Sequence, residues 1–256
     1  MIIQQPNNYI IFDHQNLSVF DLHISGNKTF GSPKRDVEEI KIPGRSGTLT
    51  YDKGRFDNYS LEYEASILGK DERDFYKKIT LLRNFLSSRI NYKRLEDSYH
   101  PDEYRMAKFV DGFDPDIVLM QGGSFTLEFD CKPQRFLKSG EEKFVFTESN
   151  TIFNPTYFES RPIIRVYGHG VIHIGDVDVT ISDFSSTELP YIDIDCDIRD
   201  SLYVTASSSV INCNGFVSLY SNDYYQDYPI LKSGLTEINI ESGIEKIEIY
   251  PRWYII

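Results

Sequence analysis

Apolar side chains recur at every second position along most of this chain, a period that sets one side of an extended strand on a core and the other toward solvent. The runs Phe125-x-Leu127-x-Phe129-x-Cys131, Val177-x-Val179-x-Ile181, Ile192-x-Ile194-x-Cys196-x-Ile198 and Ile238-x-Ile240 all carry it. Gly122-Gly123, Asn214-Gly215 and Ser242-Gly243 punctuate these runs with residues that tolerate positive φ, as hairpin turns require. The bulk of the protein is therefore read as antiparallel sheet. One stretch departs from the period. Residues 71–89 place Phe75, Ile79, Leu82 and Leu86 at helical spacing, with Lys77, Lys78, Arg83 and Asn84 facing away. Asp71 stands at its start as an N-cap able to accept from the free amides of the first turn.

At 256 residues the chain is longer than one ordinary domain of roughly 100 to 200, and two domains are expected. Residues 1–139 hold 20 Lys and Arg against 21 Asp and Glu, a net of −1, whereas residues 140–256 hold 7 against 18, a net of −11. That asymmetry places a boundary in the polar stretch Ser139-Gly140-Glu141-Glu142 and gives domains 1–139 and 140–256. It also argues against phosphate binding by the second half, because nucleic-acid backbones are gripped by clustered Lys and Arg. From Phe144 to Tyr254 short strands and turn signals succeed one another with no helical period, the pattern of a β-sandwich. With 40% hydrophobic and 26% charged residues, the chain can bury a core and is neither disordered nor fibrous.

Apolar runs such as residues 117–120 fall far short of the roughly 20 residues that cross a membrane as a helix. The first positive side chain is Lys28, and Gln4, Gln5, Asn7 and Asn8 interrupt any apolar stretch before it, so no secretory signal is expected and the chain should stay in the cytosol until assembled. Cys131, Cys196 and Cys213 are odd in number and lack C-x-x-C spacing, which indicates small buried apolar residues rather than a disulfide framework or a zinc site. No G-x-S-x-G, P-loop or H-E-x-x-H is present, so neither an enzyme nor a bound cofactor is expected.

Gly168-His169-Gly170 with Gly175 is followed by strand pattern rather than a helix, so it is not a dinucleotide loop. His169 and His173 would share a strand face, yet no third metal ligand is placed beside them. Asp193, Asp195 and Asp197 alternate with core positions and are read as a solvated sheet face, since a calcium site wraps its carboxylates around the ion in a Gly-containing loop. Tyr224, Tyr225 and Tyr228 lie in a polar loop where rings could stack on a sugar or fill a partner's pocket. In residues 42–47, Pro43 cannot donate to a ladder, and Gly44 and Gly47 allow a turn before strand pattern returns at Leu49.

The series D-V-E-E-I-K-I-P-G-R-S-G-T-L (36–49), the helix, H-P-D-E-Y-R (100–105) and G-S-F-T-L-E-F-D-C-K-P-Q-R-F (123–136) resembles the distal tail protein (Dit) family of siphophages. The likeness continues through F-N-P-T-Y-F-E-S-R-P-I-I-R-V-Y-G-H-G (153–170) and I-D-I-D-C-D (192–197). The resemblance implies a mainly β protein in which a β-rich N-terminal domain with one helix closes into a homohexameric ring, followed by a galectin-like β-sandwich. It further implies a non-enzymatic hub in the virion tail tip that joins the major tail tube protein to the tail-tip (Tal) protein and, in some phages, to receptor-binding proteins. Neither sequence-specific nucleic acid nor membrane is an implied partner. The turn of Pro43, Gly44, Arg45 and Gly47 is carried over as a feature of the ring domain.

Two other classes stay open on the residues alone. The acidic half could be a carbohydrate-binding module for host cell-wall adhesion, with Trp253 and the loop of Tyr224, Tyr225 and Tyr228 as stacking surfaces. A glycosidase using a carboxylate pair is the other, although a chain with 39 acidic residues supplies such pairs by chance.

Overall fold

The computed structural model describes residues 8–25, 31–110, 112–118, 121–221 and 228–256. Its strands fall into two compact units, residues 1–135 with residue 256, and residues 136–255. The division precedes the charged stretch at Ser139 to which composition pointed. Charge is a surface property, whereas a unit is defined by the core its side chains enter, and Leu137 already packs against the second core.

In the first unit a sheet runs in the order Gln15–Asn16, Ile10–Phe12, Lys93–Asp97, Glu103–Phe109, Gly122–Leu137, Tyr59–Leu68 and Leu22–Ser25. The alternation explains how its centre is built. Phe125, Leu127, Phe129 and Cys131 stand directly opposite Ala65, Tyr63, Leu61 and Tyr59, and all eight are buried. The helix Glu72–Ser87 covers this layer with Phe75, Ile79, Leu82 and Leu86, as the spacing predicts. Burial of those four side chains is worth about 6 to 12 kcal/mol, an upper figure because unfolded chains already hide some apolar surface. Asp71 caps the helix by accepting from the amide of Asp74 at 2.8 Å. Lys78 does not face away. It donates to the Leu68 carbonyl and reaches Asp21 at 2.6 Å and Asp74 at 2.8 Å, because its long stem can lie along the apolar face while its ammonium meets carboxylates.

The second unit is a sandwich of two antiparallel sheets. One runs Phe144–Phe146, Ile244–Tyr250, Ile163–Gly168, Ile192–Asp195, Asp200–Val204, Val210–Asn212, and the other Asn150–Asn154, Gly234–Ile240, Gly170–Ile174, Val177–Ile181, Val217–Ser221. Ile164, Val166, Ile192, Ile194, Ile247 and Ile249 from the first meet Ile172, Ile174, Val177, Val179, Ile181 and Ile238 from the second in a single core.

Of the Gly and Asn punctuation, Gly122-Gly123 opens the second strand of an antiparallel hairpin, Asp116–Val118 with Gly122–Leu137, whereas the other two pairs do not mark hairpins. Gly122 and Gly123 lie inside a strand, paired with Leu68 and Ile67 on one side and with Val118 and Ile117 on the other. Asn214 and Gly215 form a short 3-10 turn, and Ser242-Gly243 a tight corner; each carries the chain from one sheet of the sandwich to the other. Gly168 and Gly170 flank a third crossing. There the two corners touch backbone to backbone: the His169 amide donates to the Gly243 carbonyl at 3.0 Å, and a Cβ on Gly243, whose φ is +99°, would lie 2.4 Å from the His169 carbonyl oxygen. Positive φ is needed at hairpins and sheet crossings alike, so composition does not separate them.

Gly243→Ala is expected to lower stability by about 2 kcal/mol or more, because strain at positive φ adds to a backbone clash. Gly44→Ala, also at positive φ but with nothing within 4 Å of its Cβ, should cost only about 1 kcal/mol, measured by urea denaturation.

Candidate functional site

The hairpin Arg35–Lys41 with Thr48–Phe56 forms a two-stranded sheet of its own, apart from the core sheet. Its turn is closed by the Arg45 amide donating to the Ile42 carbonyl at 3.2 Å, and Gly44 and Gly47 adopt φ of +79° and +86°. Pro43, Gly44, Arg45 and Gly47 are all exposed at the tip. Ile40 faces Leu49 across the ladder, and Ile40, Ile42, Leu49 and Tyr51 remain 39% to 59% exposed. Around them Arg35 pairs with Asp52, Asp36 takes Lys53 at 3.0 Å and Arg55 at 2.9 Å, and Glu39 accepts from Thr48 and Thr50. Those hydroxyls hold the Glu39 pKa below its ordinary value. Solvent-exposed ion pairs contribute little each, and a lone hairpin is marginal in water, so this element presents apolar surface that its own unit does not cover.

Of the candidate stacking rings of the second unit, Trp253 is withdrawn into the core. Trp253 is 2% exposed and sits in the sandwich core beside Leu137, whose amide donates to the Trp253 carbonyl at 2.8 Å. A ring already buried against aliphatic side chains offers no face to a sugar. Tyr228 is half-buried against the same core, and Tyr224 and Tyr225 lie outside the described residues.

The three aspartates are not a solvated face either. Asp193 is 7% exposed and is gripped by Arg165 through two bonds of 2.7 and 2.9 Å, with the guanidinium over the Tyr191 ring at 3.9 Å. Asp195, 9% exposed, receives two bonds of 2.7 Å from Arg252 and the amides of Asp197 and Ile198. Burial alone would raise the pKa of Asp195, yet Arg252 and the two amides hold it below the ordinary carboxylate value. Asp197 and the exposed Ile198 lie beyond the strand, which ends at Asp195. Among the described residues no group of three or more His, Cys, Asp or Glu side chains could hold a metal ion. His173 stands between Asp178 at 2.6 Å and Glu241 at 3.2 Å, whereas His169 lies 3.8 Å from Asp183, so the two histidines have separate partners. The three thiols are buried, and burial pushes the Cys131 pKa up to about 12 and those of Cys196 and Cys213 upward, which leaves them unreactive as nucleophiles.

Sequence reasoning also missed a buried charge cluster in the first unit. Asp97 and Arg105, 2% and 3% exposed, pair at 3.2 Å. Tyr63 donates to Asp97 at 2.7 Å, the amides of Tyr99 and His100 donate to it at 2.8 Å, and Arg105 donates to the Tyr59 hydroxyl. Glu103 accepts both guanidinium bonds of Arg135 at 2.9 Å. The cluster draws on the segments 100–105 and 123–136, so polar residues that share no spacing rule meet only through the ladder.

Residues 13–131 match the model of the phage tail protein RIFT-related domain. That stretch makes up most of the first unit. The match takes in most of the core sheet up to Cys131, without Ile10–Phe12, together with the helix, the exposed hairpin and the Asp97–Arg105 pair. No curated protein matches the chain by sequence. Over nearly its whole length the chain has the fold of SPP1 Dit (gp 19.1), whose crystal structure is described as a paradigm of hub adsorption apparatus in Gram-positive infecting phages. The TM-score is 0.65 at 16% identity over 95% of this chain and 98% of that one. A chain of the phage P2 baseplate in its activated conformation with Ca is similar at TM-score 0.54 and 10% identity, covering 96% of this chain and 98% of that one. The resemblance drawn from the motifs is borne out.

Arg105→Met leaves Asp97 buried without its cation and is expected to cost about 3 to 5 kcal/mol in chemical denaturation. Asp178 and then Glu241 raise the His173 pKa above the ordinary 6.5. A raised pKa stabilises the fold fully below the unfolded value and loses that contribution as pH rises through the folded value. The gap in melting temperature between wild type and His173→Gln should therefore be widest below about pH 6 and narrow toward about pH 8.

Proposed function

We propose that this chain is a structural, non-enzymatic hub of a siphophage tail tip, six copies closing into a ring that connects the tail tube to the tail-tip (Tal) protein and the host-adhesion apparatus. The observation that carries the reading is the fold shared with SPP1 Dit over 95% of this chain, with a phage tail domain at residues 13–131. The count of six and the named partners come from the family resemblance.

The exposed hairpin supplies the physical motive for assembly. A two-stranded sheet that keeps Ile40, Leu49 and Tyr51 in water gains most by lying on another chain. Head-to-tail contacts that close give a ring, and those that do not give filaments. The first half, with a net of −1, meets copies of itself with little repulsion, whereas the second, with −11, is better placed outward where its charge is screened beyond about 8 to 10 Å. A sugar-stacking role for the second unit loses its best ring, because Trp253 is in the core. Docking of a receptor-binding protein on that unit fits the same picture.

Light scattering of the full chain should give about six times 29.7 kDa, with rings on an electron-microscope grid. Leu49→Lys combined with Tyr51→Lys should reduce the mass to that of a monomer without unfolding either core. A wild-type chain that stays monomeric at micromolar concentration overturns the ring, and so does a double variant that still forms rings.

A further inference from the structure

The strand Asn150–Asn154 ends the five-stranded sheet of the second unit, and among the described residues no strand pairs with its outer side in that sheet. The Thr151 amide donates to the Asn150 carboxamide oxygen at 2.8 Å, so Thr151, and Phe153 two residues on, turn their backbone groups toward the open side. Phe153 stands directly opposite Leu235, and the two side chains are 60% and 70% exposed. The chain then leaves the strand through a firmly built turn. The Asn154 side chain is buried; its amide donates to the carbonyls of Phe158 and Leu231 at 2.9 and 3.0 Å, and its oxygen accepts from the amide and hydroxyl of Thr156 at 2.9 and 2.8 Å. Tyr157, on that turn, is 95% exposed. A large ring on a fixed turn loses little conformational freedom when a partner covers it, which is the property of an anchor in an interface.

Charge selects the occupant. Glu237 lies on the same outward face, two residues from Leu235 and opposite Thr151. Glu148 and Glu159 are exposed just before and after the strand and turn; of the nearby cations, Lys232 is engaged by Asp176 at 2.6 Å, and Arg161 is exposed two residues beyond Glu159, which leaves the edge with an excess of carboxylates. A second copy of this chain would bring another half with a net of −11 against this one. We infer that Asn150–Asn154, with Phe153, Tyr157 and Leu235, is a docking edge for an extended basic segment of a different protein. The segment adds as a further strand, sets an apolar side chain against Phe153 and Leu235, and directs Lys or Arg toward Glu237. Backbone bonds along an edge supply affinity, and side chains at alternate positions supply the choice of partner. The tail-hub reading is not needed for this edge, which follows from its own geometry and charge.

The test uses full-length protein and a fluorescein-labelled peptide of alternating Lys and Val, read by anisotropy, with a Glu and Val peptide as its counterpart. The Lys and Val peptide should bind and its counterpart should not. Tyr157→Ser with Leu235→Ser should weaken binding about tenfold or more, while Val210→Ser, a similarly exposed side chain in the other sheet of the same unit, leaves it unchanged. Glu237→Lys should weaken the basic peptide and admit the acidic one. These side chains are exposed, so thermal melting should be unaltered and loss of binding cannot be ascribed to unfolding. No binding of the basic peptide, equal binding of both peptides, or undiminished binding by the Tyr157 and Leu235 variant overturns the proposal. A fall in oligomeric mass in that variant overturns it in favour of a second copy as the occupant.

Discussion

A strand can bury one face only against a second layer and can satisfy its outward backbone groups only through a neighbouring edge. Nearly every feature of this protein follows from where those two demands are met. In the first unit the helix Glu72–Ser87 is the second layer, and Phe75, Ile79, Leu82 and Leu86 close over Leu127 and Phe129. In the second unit two sheets serve as each other's cover. The hairpin Arg35–Lys41 with Thr48–Phe56 has no such layer within its unit, and the strand Asn150–Asn154 has an open edge in its sheet. Each of these two places carries exposed apolar side chains beside backbone or a face left open, the combination to which a further strand or layer can add.

Where a strand is buried on both faces, its polar residues are paired instead of solvated. Ile192–Asp195 is the central case, since Ile192 and Ile194 enter the core while Asp193 and Asp195 are covered by Arg165 and Arg252. The first unit makes the same arrangement with Asp97 and Arg105. Each carboxylate takes two or more hydrogen bonds, so its desolvation is offset, and each arginine reaches it from another element. Such pairs are sensitive to register: a slip of one residue would leave both charges buried and apart. They therefore help to fix one alignment of the ladder over its neighbours. Of the alternating carboxylates, Asp193 and Asp195 are occupied by a cation or an amide, whereas Asp197 is exposed beyond the strand.

Local pattern made the strands, the helix with its Asp71 cap, the mainly β class and the buried character of the cysteines legible, because each depends on neighbours two to four residues apart. The turn at Pro43, Gly44, Arg45 and Gly47 was legible for the same reason. Only the folded chain could decide that Ser242-Gly243 and Gly168 to Gly170 are crossings between sheets, that Trp253 belongs to the core, and that Asp193 and Asp195 face arginines. Those outcomes depend on residues 28 to 113 positions apart in sequence, as in Asp193 with Arg165 and Gly140 with Trp253. A period of two states that a residue shares a face with its second neighbour. Whether that face meets solvent, a guanidinium or another sheet is fixed by which distant strand lies alongside, and that is a property of the assembled ladder.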